Sequence, residues 1–147
     1  MKKYIGVKLV QAEPMEHQFY LNSIGKVSDP LAEARDGYKV VYPDGYVSWS
    51  PKDVFEKAYL QIGDNNTIVE HNVHDFVKEI DSSKWGDKTT IVNATLANGF
   101  IITESSSCVD PANFNMDIGT NICRDNIYNK VWNHLGFLLQ CAMKGIK

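Results

Sequence analysis

The sequence predicts an α+β fold in which antiparallel β-hairpins are combined with a long C-terminal helix, assembled as a homo-oligomer. Two hairpins are indicated by a Pro-Asp-Gly turn at 43–45 and an Asn-Gly turn at 98–99, each between β-branched and aromatic segments. The helix is indicated by apolar residues at helical spacing from Ile118 to Leu139. Hairpins together with an amphipathic helix are typical of α+β domains.

The N-terminal part of the chain predicts strands and one short helix. Residues 3–12 mix β-branched and aromatic side chains at strand-like spacing, which predicts a first strand. Residues 15–36 are polar and irregular and predict a loop with at most one helical turn. The first hairpin consists of residues 37–42 and 46–49, and a Ser-Pro pair directly after it caps a short helix to about Tyr59.

The Gly-Asp-Asn-Asn segment at 63–66 is the clearest break in the chain, since glycine and asparagine tolerate left-handed backbone. It predicts one module over residues 1–62 and another over 63–147, with the packing of both as one domain as the alternative. Apolar residues at helical spacing then predict a helix over residues 73–80.

The second hairpin should have a two-residue type I′ turn, because Asn-Gly fits the positive φ angles of that turn. Such a turn predicts a core face formed by Val92, Ala94, Leu96, Ile101 and Thr103. The long helix that follows should be capped by Asn115 and end near Gly145, where glycine can terminate it.

Composition and charge exclude several classes of partner. Fifteen Lys and Arg against eighteen Asp and Glu give a net charge of −3, and no basic run is present, so duplex nucleic acid is not expected as a partner. A small phosphorylated ligand needs only one or two cations. No apolar stretch approaches the roughly 20 residues that span a bilayer, and the first residues lack the apolar centre of a signal peptide, so we expect neither membrane contact nor export.

No catalytic or metal-binding constellation stands out. Cys108, Cys123 and Cys141 are odd in number and far apart, which favours free thiols. A Cys108–His134 pair lacks any nucleophile signature, and His71 with His74 lacks a second pair of ligands. We therefore expect a protein that is not an enzyme and that needs no cofactor and no metal.

One cluster has the chemistry of a phosphate site. Arg124 and Asp125 lie next to the amides of Asn121 and Asn126 on the predicted long helix. An arginine there is suited to grip a phosphate or diphosphate, with Asp125 orienting it or contacting a ribose hydroxyl. Spacing alone favours the alternative, a solvated helix face with local ion pairs.

Two groups of residues resemble known phage proteins. The first reads GYKVVY, DGYVSWSPK and FEKAY at residues 37–42, 44–52 and 55–59. The second reads TLANGF, ES, CVDPANF, IG and KVW at residues 95–100, 104–105, 108–114, 118–119 and 130–132. The chain thereby resembles a family of small tailed-phage and prophage proteins, mostly of unknown function, and is similar in size and layout to the Thoeris anti-defence sponges of the first type.

The resemblance implies a function and a site. The sponges sequester glycocyclic ADP-ribose made by bacterial TIR proteins, some also hold cyclic trinucleotides of CBASS, and they bind without degrading. Arg124 and Asp125 match the helix arginine of the sponges and the acid after it, while hairpin contributors would lie near Asn93, Phe100 and Thr103. The resemblance also implies a basic residue where this chain has Thr120.

The expected function is therefore sequestration of a cyclic nucleotide immune signal in the host bacterial cytoplasm. The expected ligand-binding residues are Arg124, Asp125, Phe100, Asn93, Thr103 and Asn121. The oligomer would form pockets between its subunits. The alternatives are a phage accessory protein that inhibits a host enzyme by direct protein contact and a structural virion or assembly protein.

Overall fold

The computed structural model describes residues 1–147 and divides them into two compact units, residues 1–61 with 140–147 and residues 62–139. The predicted α+β class is confirmed: each unit contains a three-stranded antiparallel sheet, and a long helix lies near the C-terminus. None of the helices combines the length and the apolar composition that a membrane span requires.

The sheet of the first unit has the order β1-β2-β3. Its strands are β1 (Gln11–Pro14), β2 (Gly37–Val41) and β3 (Val47–Pro51). The predicted strand over residues 3–12 is wrong in extent, since β1 begins only at Gln11. Gln11 pairs with Val41, the last residue of β2, so the residues before it have no partner strand. Tyr4 and Ile5 are accordingly 90% and 87% exposed.

The segment predicted as a loop over residues 15–36 contains helix α1 (His17–Ser23). The carboxylate of Glu16 caps this helix, accepting the backbone N–H of Gln18 at 2.8 Å. The same carboxylate accepts the backbone N–H of Arg35 at 3.0 Å. The bond from Arg35 is the main reason why the pKa of Glu16 lies below its ordinary value.

The first predicted hairpin is confirmed, with Gly45 in the turn at a φ of 86°. Helix α2 (Lys52–Ala58) follows directly. Its N-cap is Pro51 and not Ser50, because Ser50 belongs to β3 and pairs with Tyr38 of β2. The chain thus passes from strand to helix without a linker.

The predicted break at 63–66 is confirmed as a turn with left-handed backbone, since Asn65 and Asn66 have φ angles of 57° and 56°. Helix α3 (Glu70–Phe76) then leads into β4 (Val77–Trp85). The helix predicted over residues 73–80 is therefore wrong in its second half.

A β-bulge explains the error. The pairing of β4 with β5 (Thr89–Leu96) shifts register between Val77 and Glu79. The extra residue lets Val77 and Ile80, three positions apart, both pack against the core. A spacing of three mimics a helix, although the backbone is extended.

The second hairpin, β5 with β6 (Ile101–Ser107), is confirmed, but its predicted two-residue turn is wrong. Leu96 donates its N–H to the carbonyl of Phe100 at 2.8 Å, and Gly99 has a φ of 84° whereas Asn98 has no positive φ. This is a three-residue loop with glycine in the left-handed position.

The longer loop moves the register by one residue and inverts the predicted faces of β6. Ile102, expected outside, is 5% exposed, while Ile101, expected in the core, is 60% exposed. Thr103 likewise lies on the outer face. The core face of β5 is as predicted, with Val92, Ala94 and Leu96 buried.

Helix α4 (Met116–Lys144) follows a short 3-10 helix (Pro111–Asn113). As predicted, Asn115 caps α4, accepting the N–H of Ile118 at 3.1 Å, and Gly145 follows its end with a φ of 84°. The buried residues of α4 recur every four positions: Gly119, Cys123, Ile127, Val131 and Leu135. This stripe packs on the inner face of the β4–β6 sheet and forms the core of the second unit.

Candidate functional site

One flank of α4 faces β4 and α3. Thr120 Oγ1 lies 3.2 Å from Ser82 Oγ on β4, and the ring of Tyr128 stacks on His74 of α3 with centroids 4.2 Å apart. Arg124 is one turn after Thr120 and one turn before Tyr128, so it lies on the same flank, at Cβ separations of about 5–6 Å from each. We call Thr120, Arg124 and Tyr128, with Ser82 and His74, the Arg124 flank.

The opposite flank of α4 faces β6. Lys130 forms an ion pair with Glu104 of β6, and His134 lies against Phe100 with ring centroids 5.8 Å apart. Phe100 is 55% exposed beside the hairpin turn. Phe100 and Arg124 are therefore on different sides of the helix.

Arg124 is exposed and takes part in no ion pair. The salt bridges of the structure join other residues, namely Lys39 with Glu13, His74 with Glu70, and Lys130 with Glu104. A guanidinium that is not engaged by a carboxylate keeps its planar donor fork free for a phosphate.

Asn121 and Asp125 accompany Arg124 on α4. Both are exposed, and they are one turn apart, so their side chains are neighbours on the helix surface. The amide of Asn121 offers donors and an acceptor, and the carboxylate of Asp125 offers acceptors. Asn121 is also one turn before Arg124, so its amide can address a phosphate together with the guanidinium, whereas Arg124 and Asp125 are adjacent in the helix and do not face each other.

Asn93 and Thr103 lie together on a different surface. They pair across β5 and β6, and Thr103 Oγ1 donates to Asn93 Oδ1 at 2.7 Å. Because side chains alternate along a strand, both point away from the buried Val92 and Ala94, against which α4 packs. The sheet thus separates this pair from the helix.

The six predicted ligand residues consequently occupy three places in one chain. Asn121, Arg124 and Asp125 lie on α4, Asn93 and Thr103 on the outer face of the sheet, and Phe100 beside the hairpin turn. A single chain does not bring them into one pocket.

The stack of His74 on Tyr128 is the feature that sequence reasoning missed. His74 is also 3.7 Å from Glu70 through Nε2. Residues 74 and 128 are 54 positions apart, and only the packing of α3 beside α4 makes them neighbours. Aromatic planes of this kind are suited to stacking on a nucleobase.

The cysteines are free, and their contacts are not those of a nucleophile with a base. Cys108 donates to the carbonyl of Asp110 at 3.2 Å, while His134 Nδ1 lies 2.5 Å from the carbonyl of Lys130. Burial, with the nearby charge of Glu104, raises the pKa of the Cys123 thiol, so this thiol stays protonated at neutral pH.

The first unit has an open cavity of about 350 Å³. It is lined by Pro14, Met15, Glu16, Asp36, Gly37, Tyr38 and Lys52. Tyr38 donates from its hydroxyl to Glu56 at 2.8 Å, and this bond raises the pKa of the phenol. The lining mixes one cation with two carboxylates, which is poorly suited to a diphosphate.

Comparison with known proteins identifies one family. The family model described as "Phage protein (N4 Gp49/phage Sf6 gene 66) family" matches residues 54–143, which include α3, the β4–β6 sheet and nearly all of α4. No curated protein and no solved structure matches the chain. The match covers more than half of the chain.

Proposed function

The chain belongs to the phage protein family of N4 Gp49 and phage Sf6 gene 66, and we propose that it sequesters a cyclic nucleotide immune signal in the host bacterial cytoplasm. The ligand class is glycocyclic ADP-ribose, with cyclic trinucleotides as further ligands. The protein holds the signal without degrading it. The resemblance to the Thoeris anti-defence sponges supports this choice of ligand.

The observation that carries the proposal is the Arg124 flank. An ADP-ribose-like ligand has a diphosphate, sugar hydroxyls and a purine. Arg124 is an exposed guanidinium outside every salt bridge, and the His74–Tyr128 stack lies one turn away from it. The guanidinium can bind the diphosphate of such a ligand, and the aromatic rings can stack on its purine.

A second copy of the chain completes the site. Asn93, Thr103 and Phe100 do not reach the Arg124 flank within one chain, because the sheet or the body of α4 lies between them. If they contact the ligand, another subunit presents them. The proposal therefore includes a homo-oligomer with ligand sites between subunits.

The test of sequestration is recovery of the ligand. The purified protein is incubated with the product of an activated TIR enzyme, separated from free ligand, and denatured by heat. Mass spectrometry should find intact glycocyclic ADP-ribose in the released fraction. Recovery of fragments would indicate hydrolysis, and recovery of nothing would refute sequestration.

The test of the site is the replacement of Arg124. Arg124→Ala should weaken binding at least about tenfold in calorimetric titration, because a charge-assisted hydrogen bond contributes about 1.5–3 kcal/mol. Arg124→Lys should restore only part of the affinity, since an ammonium cannot reproduce the planar fork. Lys144→Ala, which removes a positive charge twenty residues further along α4, is the matched control and should bind like the parent. Parental affinity in Arg124→Ala would remove this residue from the site.

Inhibition of a host enzyme by protein contact is the second candidate. The exposed apolar side chains at the start of α4 favour it, since Ile118 and Ile122 are 60% and 47% exposed. Such a protein would release no small molecule on heating. Replacement of Ile118 and Ile122 by serine would abolish its activity, whereas Arg124→Ala would not.

A further inference from the structure

The sheet of the second unit has two edges that are built differently. The β4 edge carries the devices by which proteins prevent strand pairing: a bulge after Val77 and several charged side chains. The charged residues of β4 are Lys78, Glu79, Asp81 and Lys84. A further strand would not pair easily with this edge.

The β6 edge lacks these devices. Its sequence IITESSS contains no proline and no lysine, and its pairing with β5 runs without interruption from Thr89↔Ser107 to Thr95↔Ile101. Its single charged residue, Glu104, points to the inner face, where it is 15% exposed and paired with Lys130. The edge is therefore regular in its pairing with β5, uncharged on its outer face and not paired with another strand.

The hydrogen bonds at the two ends of the hairpin determine which groups of β6 are free. Leu96 donates to the carbonyl of Phe100, and Cys108 donates to the carbonyl of Lys88. Hydrogen-bonded pairs alternate in an antiparallel ladder, so the even-numbered residues of β6 bond to β5. The odd-numbered residues direct their N–H and C=O groups to the open side, and they are Ile101, Thr103, Ser105 and Ser107.

We propose that β6 pairs antiparallel with β6 of a second copy, joining the two three-stranded sheets into one continuous sheet across a two-fold axis. The strand is self-complementary, because the free donors and acceptors of its odd-numbered residues meet the same groups of the partner. The side chains beside the axis are small and hydroxylic, and Glu104 is neutralised within its own chain by Lys130.

The chemistry of the side chains also restricts the register. If the two-fold axis between the two β6 strands passed through Glu104, the carboxylates of the two copies would lie directly opposite each other, which is unfavourable in a sheet. An axis at Thr103 or Ser105 sets hydroxyl side chains opposite each other instead. In either register the Asn93–Thr103 pairs of both copies lie on one continuous outer face.

This interface goes beyond the proposed function, since it joins two copies through β6 and leaves each Arg124 flank beside β4, at the other edge of its sheet. It is therefore tested apart from ligand binding. Ser105→Pro is the decisive variant. Its N–H faces away from β5, so proline leaves the ladder within the chain intact while it removes a donor from the edge. Ser105→Ala keeps the N–H and is the matched control.

Sedimentation of the full chain at micromolar concentration should show a dimer for the parent and for Ser105→Ala. Ser105→Pro should keep the far-ultraviolet circular dichroism of the parent and sediment as a monomer, with the dissociation constant raised at least about tenfold. Ser105→Lys, which places like charges near the axis, should do the same and tests the interface if the proline variant does not fold.

A monomeric parent would overturn the interface, as would variants Ser105→Pro and Ser105→Lys that dimerise like the parent. The latter result would direct attention to the exposed apolar side of α4. A parent that is monomeric and yet yields intact ligand on heating would overturn the interface and the placement of ligand sites between subunits, and would leave sequestration itself standing. A β6-dependent dimer that yields no ligand would leave the interface standing and remove the proposed function.

Discussion

Gly119 of α4 is the position where one added methyl group should do most harm. It is buried in the core stripe, and a Cβ built on it would lie 2.8 Å from Thr90 Cβ and closer still to Thr90 Oγ1. Thr90 is itself only 1% exposed and belongs to the central strand β5, so its Cβ cannot rotate away. Gly119→Ala must therefore displace α4 from the sheet.

Two opposing effects set the magnitude. Overpacking a filled core costs about 1–3 kcal/mol. Alanine is better than glycine in a helix by about 1 kcal/mol. The contact with Thr90 Cβ is shorter than ordinary contacts of a Cβ atom, so the overpacking cost should lie in the upper part of its range. Gly119→Ala should therefore lower the free energy of unfolding by about 1–2 kcal/mol net. Gly136→Ala on the same helix meets no atom within 4 Å and should gain stability.

Urea denaturation followed by circular dichroism measures both variants. The midpoint should fall for Gly119→Ala and rise for Gly136→Ala. A double-mutant cycle with Thr90→Ala, which removes Oγ1, should show that the two changes are less harmful together than their sum. If Gly119→Ala is as stable as the parent while Gly136→Ala gains stability, the close approach of α4 to β5 is refuted.

Two further predictions concern titratable groups. The pKa of Glu16 is lowered in the folded state, so the carboxylate stabilises the fold above the pKa that it has in the unfolded chain, and this stabilisation is lost as the pH falls through the folded-state pKa. Glu16→Gln should therefore flatten the acid side of the profile of stability against pH, as measured by thermal unfolding. An unchanged slope would contradict the capping hydrogen bonds. Cys123 is fully buried and its pKa is raised, whereas Cys108 and Cys141 are partly exposed. Iodoacetamide should therefore label Cys108 and Cys141 in the native protein and Cys123 only after denaturation, which peptide mass mapping measures. Rapid labelling of Cys123 in the native protein would contradict its burial.

The candidate site shows what residue chemistry alone can identify. The sequence predicts that Asn121 lies beside Arg124 and beside Asp125, because residues three and four positions apart are neighbours on a helix surface. The role of these three residues in a ligand site stays a prediction. The partners Tyr128 and His74 could not be found in this way. Their stacking depends on α3 returning beside α4 after a separation of 54 residues, which no local pattern encodes.

By itself the sequence determined the features whose causes are local. Both hairpins are marked by their turns, Pro-Asp-Gly at 43–45 and Asn-Gly at 98–99, because glycine adopts a positive φ without strain. Helix α4 is bounded by Asn115 and Gly145, because each acts on the adjacent turn of the helix. The tertiary structure alone decided the features that depend on a partner strand. The first strand begins only at Gln11, where pairing with β2 becomes available.

The same dependence explains β4 and the faces of β6. In β4 a bulge placed Val77 and Ile80 on one face at a helical spacing, so only pairing with β5 reveals a strand. In β6 one additional residue in the loop turned Ile102 into the core and Ile101 out of it. Side chains alternate along a strand, so a register shift of one residue moves every side chain of the strand to the opposite face of the sheet. The length of the loop depends on how β5 and β6 pair in the sheet, and the residues within the loop do not determine it alone.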